Sequence, residues 1–285
     1  MNKKNKYNIA DIQKFKNIKS PFTAITAYDF PTALIINELN IPIVLVGDSA
    51  SMVVYGYDNT IPITIEEMLL VTKAVSRGIN KALVVGDMPF MSYQPSNQKA
   101  VYNAGRLIKE GRVNAVKLEG GVEYLDRISK IIQAGIPVMG HIGLRPQEVL
   151  KESGYKIQGK TAIEALKIYK DAIALEGAGV FAMVLEGVPK ELAKIITDTL
   201  KIPTIGIGAG KGCDGQIQVL HDVVGLFGNK VPRHAKVFSN SYKTIKGSIE
   251  SYEKEVSNNT FPNNATSTKM DANELQALKK KIENI

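Results

Sequence analysis

Four carboxylates close apolar runs in this 285-residue chain: Asp48 after Val44-Leu45-Val46-Gly47, Asp87 after Leu83-Val84-Val85-Gly86, Glu119 after Val116-Lys117-Leu118, and Glu186 after Met183-Val184-Leu185. A buried parallel strand is built from continuous Val, Ile and Leu. A carboxylate at its last position breaks that pattern at the rim of the sheet, where α/β folds build their sites. Acids gathered at one rim repel one another unless a cation sits among them, and hard oxygen donors of this kind suit magnesium. Such acids can also cap the helices that follow. Four of them at strand ends, three followed directly by Gly or Ser, favour a shared site.

Two basic side chains belong to the same rim. Lys117 stands two residues before Glu119, so strand periodicity puts both on one face. A lysine inside a barrel must pair with an anion. A Lys–Glu ion pair satisfies that need, and a substrate carboxylate or oxyanion added to the pair is the functional reading we prefer. His141 closes the run Pro137-Val138-Met139-Gly140 and is either a structural histidine or a site residue. His221 and His234 have no motif around them. Cys213, the single cysteine, has no partner thiol and no neighbouring base, so a structural role suits it better.

Two pattern matches are discarded. Gly154 to Thr161 satisfies the P-loop expression, but polar residues Glu148 to Ser153 precede it where a buried strand is required. Gly206-Ile-Gly208-Ala-Gly210 lacks dinucleotide-binding spacing, and no acid follows at the required distance. Its glycines suit a backbone that passes close to a ligand or a neighbouring loop.

The elements that must hold these residues alternate. Strands are predicted near 22–27, 43–47, 82–86, 115–118, 137–140, 180–185, 204–207 and 217–220. Helices are predicted over 29–39 (apolar face Ala33, Leu34, Ile36, Leu39), 64–77, 97–110, 122–134, 160–177 and 189–200. Eight such units match a (β/α)₈ TIM barrel, with a doubly wound open sheet as the other arrangement the pattern allows. The long loops 49–63 and 141–159 would then share the catalytic face. Asn40, Gly135 and Gly179 are predicted helix C-caps.

We divide the chain into an N-terminal extension (1–20), a catalytic barrel (21–262) and a tail (263–285). Tyr242, Ile245, Ile249, Tyr252 and Val256 have the spacing of a docked amphipathic helix, and 257–269 is polar and loose. Leu275, Leu278, Ile282 and Ile285 form a second stripe, which suits either a terminal helix on a neighbour or a frayed tail.

Composition narrows the classes. The net charge of +8 comes from lysines at the ends and scattered elsewhere, with no aromatic-rich basic stripe. A solvated surface explains it better than nucleic-acid binding. No apolar run has membrane-spanning length, and no apolar stretch of signal-peptide type follows the basic start. We expect a cytoplasmic protein that binds neither nucleic acid nor membrane.

Thr26-Ala-Tyr-Asp29, Val46-Gly-Asp-Ser49, Gly86-Asp-Met-Pro-Phe90, Val116-Lys-Leu-Glu-Gly-Gly121, Gly140-His-Ile-Gly-Leu-Arg-Pro-Gln147, Gly154-Tyr-Lys-Ile-Gln-Gly-Lys160, Leu185-Glu-Gly187, Ile205-Gly-Ile-Gly-Ala-Gly210 and Cys213-Asp-Gly-Gln216 together resemble the ketopantoate hydroxymethyltransferase family, in order, across roughly 20–262. The P-loop-like segment is part of that family pattern. The resemblance implies a (β/α)₈ barrel, a magnesium ion and a homo-oligomer, typically a decamer. It implies one-carbon transfer from 5,10-methylenetetrahydrofolate to 3-methyl-2-oxobutanoate, giving 2-dehydropantoate on the route to pantothenate and coenzyme A. By motif position it makes Asp48, Asp87 and Glu119 the metal-associated acids. Asp48, Ser49, Asp87 and Lys117 line the oxo acid, Glu186 accepts the proton, and His141 supports the site. A magnesium-dependent oxo-acid enzyme of the phosphoenolpyruvate mutase and isocitrate lyase group would share metal and oxo acid but not folate. A non-catalytic nucleotide- or nucleic-acid-binding protein would leave the four acids without a use.

Overall fold

The computed structural model describes residues 6–18, 20–228 and 231–285. They fall into two compact units, one within 1–223 and 232–236, the other within 224–231 and 237–285.

The first unit runs α1 (Ile9–Ile18), β1 (Phe22–Thr26), α2 (Phe30–Glu38), β2 (Ile43–Val46), α3 (Ala50–Val53), α4 (Ile65–Gly78), β3 (Leu83–Asp87), α5 (Asn97–Lys109), β4 (Ala115–Glu119), α6 (Leu125–Gln133), β5 (Val138–Gly143), α7 (Ala162–Ala178), β6 (Ala182–Glu186), α8 (Lys190–Thr199), β7 (Thr204–Ile207), β8 (Gly215–Gln218) and α9 (Leu220–Val224). The strands form a closed barrel in sequence order, every neighbouring pair parallel, with β8 returning to β1. The open sheet is thereby excluded.

The two faces of each strand go to different cores, as a side-chain period of two dictates. Phe22, Ala24, Ile43, Leu45, Leu83, Val85, Met139, Val184, Ile205 and Ile217 belong to one buried cluster, and Val44, Val84, Val116, Leu118, Met183 and Leu185 to the other. The second cluster also contains helix residues such as Val75, Leu107 and Ile196, so it is the layer between sheet and helices. The first is the barrel interior. Ile12 of α1 is completely buried in it, and Phe15 stacks 4.7 Å from Phe22, so α1 closes the N-terminal end of the barrel.

Local chemistry sets the element ends. Asn40, Gly135 and Gly179 have φ of 58°, 83° and 97°, the left-handed conformation of helix termini. Thr64–Glu67 and Thr161–Glu164 form reciprocal capping boxes on α4 and α7. Thr161 is therefore the N-cap of α7, and residues 149–160 directly before it form no strand, which removes the P-loop reading structurally.

The structure corrects several boundaries. β5 extends to Gly143, so His141 lies inside the strand. β8 begins at Gly215 rather than 217, because Gly215 and Gln216 pair with both neighbours, and residue 220 already belongs to α9. Ala33 and Ile36 of α2 are buried as expected, whereas Leu34 and Leu39 are exposed.

In the second unit α10 (Ser241–Ser257) starts at an Asn240 cap and α11 (Ala272–Ile282) at an Asp271 cap. Both expected helices form, and neither has a buried residue. Residues 263–267 close a hydrogen-bonded turn in the segment read as loose.

Candidate active site

The inward rows of apolar side chains end, at the C-terminal rim, in ionisable ones. Two residues above Val85 stands Asp87; two and four above Ala115 stand Lys117 and Glu119; two above Met139 and Val184 stand His141 and Glu186. Strand register then sets the neighbours: Asp87 is level with Lys117, and Glu119 with His141. Lys117 Nζ donates to both carboxylate oxygens of Asp87, at 2.9 and 2.8 Å, and lies 3.5 Å from Glu119 Oε1. Asp48, just past the end of β2, donates its backbone N–H to Asp87 Oδ2 at 3.2 Å. All four side chains are buried.

Three carboxylates against one ammonium leave two formal negative charges uncompensated in a buried site. Burial alone would lower the Lys117 ammonium, but Asp87, Glu119 and Asp48 outweigh it and hold it protonated far above the usual lysine range. Burial pushes Asp48 well up, and the charge of Asp87 adds to it. Glu119 is raised by burial, with Lys117 and His141 offsetting part of the shift.

His141 is fully enclosed, and its ring is pushed down to about 4 by burial and then by the charge of Lys117. It is neutral at physiological pH. Its Nε2 lies 3.0 Å from the Leu144 carbonyl and 3.3 Å from Glu186 Oε2, so the single ring proton belongs on Nε2, facing two oxygens. The lone pair of Nδ1 then points toward Glu119 Oε1 at 3.7 Å, and neither atom has a hydrogen-bond partner among the described residues. Glu186 lies at the edge of this set, its side chain 16% exposed. Burial pushes its carboxyl up to about 7, with Lys117 and His234 pulling the other way.

The remaining candidates separate cleanly. The Ser49 hydroxyl, beside Asp48, is 2.7 Å from the Tyr28 hydroxyl. Cys213 is buried next to Thr197 and Thr204, where burial raises its thiol and leaves no nucleophilic thiolate. Residues that the motif reading did not single out also reach the cluster. Gln147 and Tyr93 hydrogen-bond to it, and Tyr155 feels the charges of Asp48, Glu186 and Glu119. Gln147 and Tyr155 lie within the family-like segments 140–147 and 154–160, which is their only sequence signal; Tyr93 and His234 carry none.

Among the described residues no group of three or more His, Cys, Asp or Glu is arranged to hold a metal ion. Asp87 gives both oxygens to Lys117. Magnesium, however, is commonly held by one or two protein carboxylates and completed by water and substrate oxygens. Asp48 and Asp87 are adjacent hard donors, Glu119 Oε1 has no hydrogen bond, and the net excess of two negative charges matches a divalent cation. The donor set fits.

A closed parallel barrel whose C-terminal mouth carries buried, electrostatically perturbed acids and a buried lysine is a (β/α)₈-barrel enzyme. Comparison with known proteins narrows it. Residues 6–264 match the family model described as ketopantoate hydroxymethyltransferase. A protein of Dehalococcoides mccartyi (strain CBDB1) named 3-methyl-2-oxobutanoate hydroxymethyltransferase is 50% identical over 272 residues, covering 95% of this chain and 98% of that protein. One of the same name from Chloroflexus aurantiacus (strain ATCC 29366 / DSM 635 / J-10-fl) is 48% identical over 269 residues, covering 94% and 95%. Among solved structures, phosphonopyruvate hydrolase in complex with oxalate and Mg++ shares the fold, with a TM-score of 0.60 and 11% identity over 97% of each chain. The chain belongs to the ketopantoate hydroxymethyltransferase family. Among the described residues no helix is long and apolar enough to cross a membrane.

Proposed function

We propose that this enzyme transfers the one-carbon unit of 5,10-methylenetetrahydrofolate to 3-methyl-2-oxobutanoate, forming 2-dehydropantoate for pantothenate synthesis, with Glu186 as the base. The observation that carries this reading is the division of labour at the rim. One carboxyl, Glu186, is pushed up to about 7 at the edge of the site, while an ammonium, Lys117, is held charged among the buried acids.

The C3–H of a 2-oxo acid is too weakly acidic to lose its proton unaided. Lys117 places positive charge where the keto oxygen becomes an oxyanion. Glu186, poised near neutrality, takes the C3 proton, and the electron pair moves to that oxygen. The neutral His141 donates its Nε2 proton to the Leu144 carbonyl, which sets the edge of its ring 3.3 Å from Glu186 Oε2, beside the base. Ser49, Asp48 and Asp87 line the oxo acid. The carbon nucleophile then attacks the folate methylene carbon as one of its two C–N bonds breaks. Water breaks the other, leaving its hydroxyl on that carbon, and tetrahydrofolate departs with the C3 proton and one proton from water on its two nitrogens. Asp48, Asp87 and Glu119 would hold magnesium, which when bound polarises the ketone and offsets the acids' repulsion.

The test has two arms. The first is a coupled assay for 2-dehydropantoate with magnesium supplied or chelated and with the folate supplied or omitted. Product formed only with both supports the reading; turnover of the oxo acid without folate moves the enzyme to the phosphoenolpyruvate mutase and isocitrate lyase group. In the second, Glu186→Gln keeps oxo-acid binding and loses solvent exchange at C3; full exchange in the variant removes Glu186 from the role.

A further inference from the structure

The geometry assigns a positioning role to Gln147, a residue that holds the two flanking carboxylates of the cluster by one oxygen each and so orients the other oxygen of each for a cation. This rests on the magnesium reading above.

Gln147 sits in the short helical turn Pro146–Glu148 that follows β5 and is only 3% exposed. Burying an amide is costly unless all its polar atoms are paired. Here they are, and every pair is with another element. Nε2 donates to Asp48 Oδ2 at 2.9 Å and to the Met88 carbonyl at 2.9 Å. Oε1 accepts from the Tyr93 hydroxyl at 2.9 Å and from Gln94 Nε2 at 3.1 Å. The backbone N–H donates to Glu119 Oε2 at 3.1 Å. Two donors face Oε1 and two acceptors face Nε2, so turning the amide over would set donor against donor and acceptor against acceptor.

The consequences are specific. Asp48 is tied through Oδ2, and its Oδ1 takes no part in this network. Glu119 is tied through Oε2, and its Oε1 has no hydrogen bond, with Lys117 Nζ 3.5 Å away. The bond to Met88 O fixes the backbone directly after Asp87. One side chain and its own N–H thus span the tops of β2, β3 and β4, reaching partners 99, 59 and 28 residues away in sequence. Without the fork, Asp48 is free to rotate toward Lys117, where its negative charge is attracted and its free oxygen is consumed. Tyr93 locks the fork from behind, its hydroxyl proton shared between Oε1 and the Glu119 carbonyl at 3.0 Å.

Gln147→Met tests the role. Methionine keeps the length, the volume and the backbone N–H to Glu119 while removing the fork. Titrating Mg²⁺ alone into the full-length chain, followed by calorimetry, should show affinity lower by roughly 10- to 100-fold, the usual effect of removing an outer partner of a metal ligand. Excess Mg²⁺ should restore much of the lost rate, which a merely unfolded fraction would not show. Tyr93→Phe, which leaves Gln147 in place, should weaken Mg²⁺ binding in the same direction by less. Wild-type affinity in a folded Gln147→Met overturns the assignment. Should that variant not fold, wild-type affinity in Tyr93→Phe overturns it instead. A wild-type chain that binds no Mg²⁺ removes the metal reading itself and this role with it, whereas Mg²⁺ binding lost only in the variants establishes both.

Discussion

Replacing Lys117 by Met probes the electrostatics of the site directly. The change preserves most of the buried volume and removes the ammonium that lies 2.8 Å from Asp87 and 3.5 Å from Glu119. Three buried carboxylates are then left facing one another. Breaking a buried ion pair by deleting one partner costs about 3–5 kcal/mol. For a chain of this size that corresponds to a melting temperature lower by roughly 6–20 °C. The cost depends on pH with a definite sign. Asp48 and Glu119 already have folded-state pKa values above those of an unfolded chain. The stability tied to their protonated forms is fully present below the unfolded carboxylate range, near pH 4, and is lost as pH rises through the folded values. Removing Lys117 raises the folded values further, so the variant should melt close to wild type near pH 4–5 and fall progressively behind toward pH 8. Thermal melts of both proteins by circular dichroism across that range, without added metal, decide it. A gap in melting temperature that is constant with pH would refute the reasoning, because a packing defect has no such dependence. The same variant should lose C3 proton exchange, since no ammonium then faces the oxyanion.

The base imposes its own profile: with Glu186 near 7 in the substrate-free enzyme, roughly a tenth of it is ionised at pH 6, so kcat/KM for C3 proton exchange should fall about tenfold between pH 8 and pH 6. A rate flat over that interval contradicts a base with this pKa. Gly143 has a φ of 95°, and a Cβ there would press against the Glu186 carbonyl. Gly143→Ala should therefore cost about 1–3 kcal/mol and displace the base, so that denaturant midpoint and exchange rate drop together; an unaltered rate would show that the close approach is not needed. If the chain forms the homo-oligomer that the family resemblance implies, the apolar side chains exposed by Phe30, Leu34 and Ile35 on α2 and by Leu39 at its C-terminal end are the proposed contact. Light scattering should give a multiple of the 31.1 kDa chain mass, reduced in Ile35→Asp, and a monomeric wild type would end that proposal.

Much of the barrel was legible. Val, Ile and Leu runs announce strands, and Asn40, Gly135 and Gly179 mark helix ends because left-handed backbone favours those residues. What escaped lacked a periodic signal. α1 reads as a basic extension, and only the spacing of Ile9, Ile12 and Phe15 hints that it plugs the barrel. β8 is Gly-Gln-Ile-Gln, with a single large apolar residue, so its start was misplaced. α3 is a single turn, too short to show a period.

The site divides along the same line. The order of the acids, their place at strand ends, and the shared face of Lys117 and Glu119 follow from residue type and a period of two, which act locally along the chain. Barrel closure decides the rest. It sets Lys117 against Asp87, stretches Gln147 from the turn after β5 to Asp48, and brings His141 beside Glu186. Those pairings, and the pKa shifts they produce, depend on which strand ends lie side by side and how much water they exclude. Both are properties of the assembled barrel and of no segment within it.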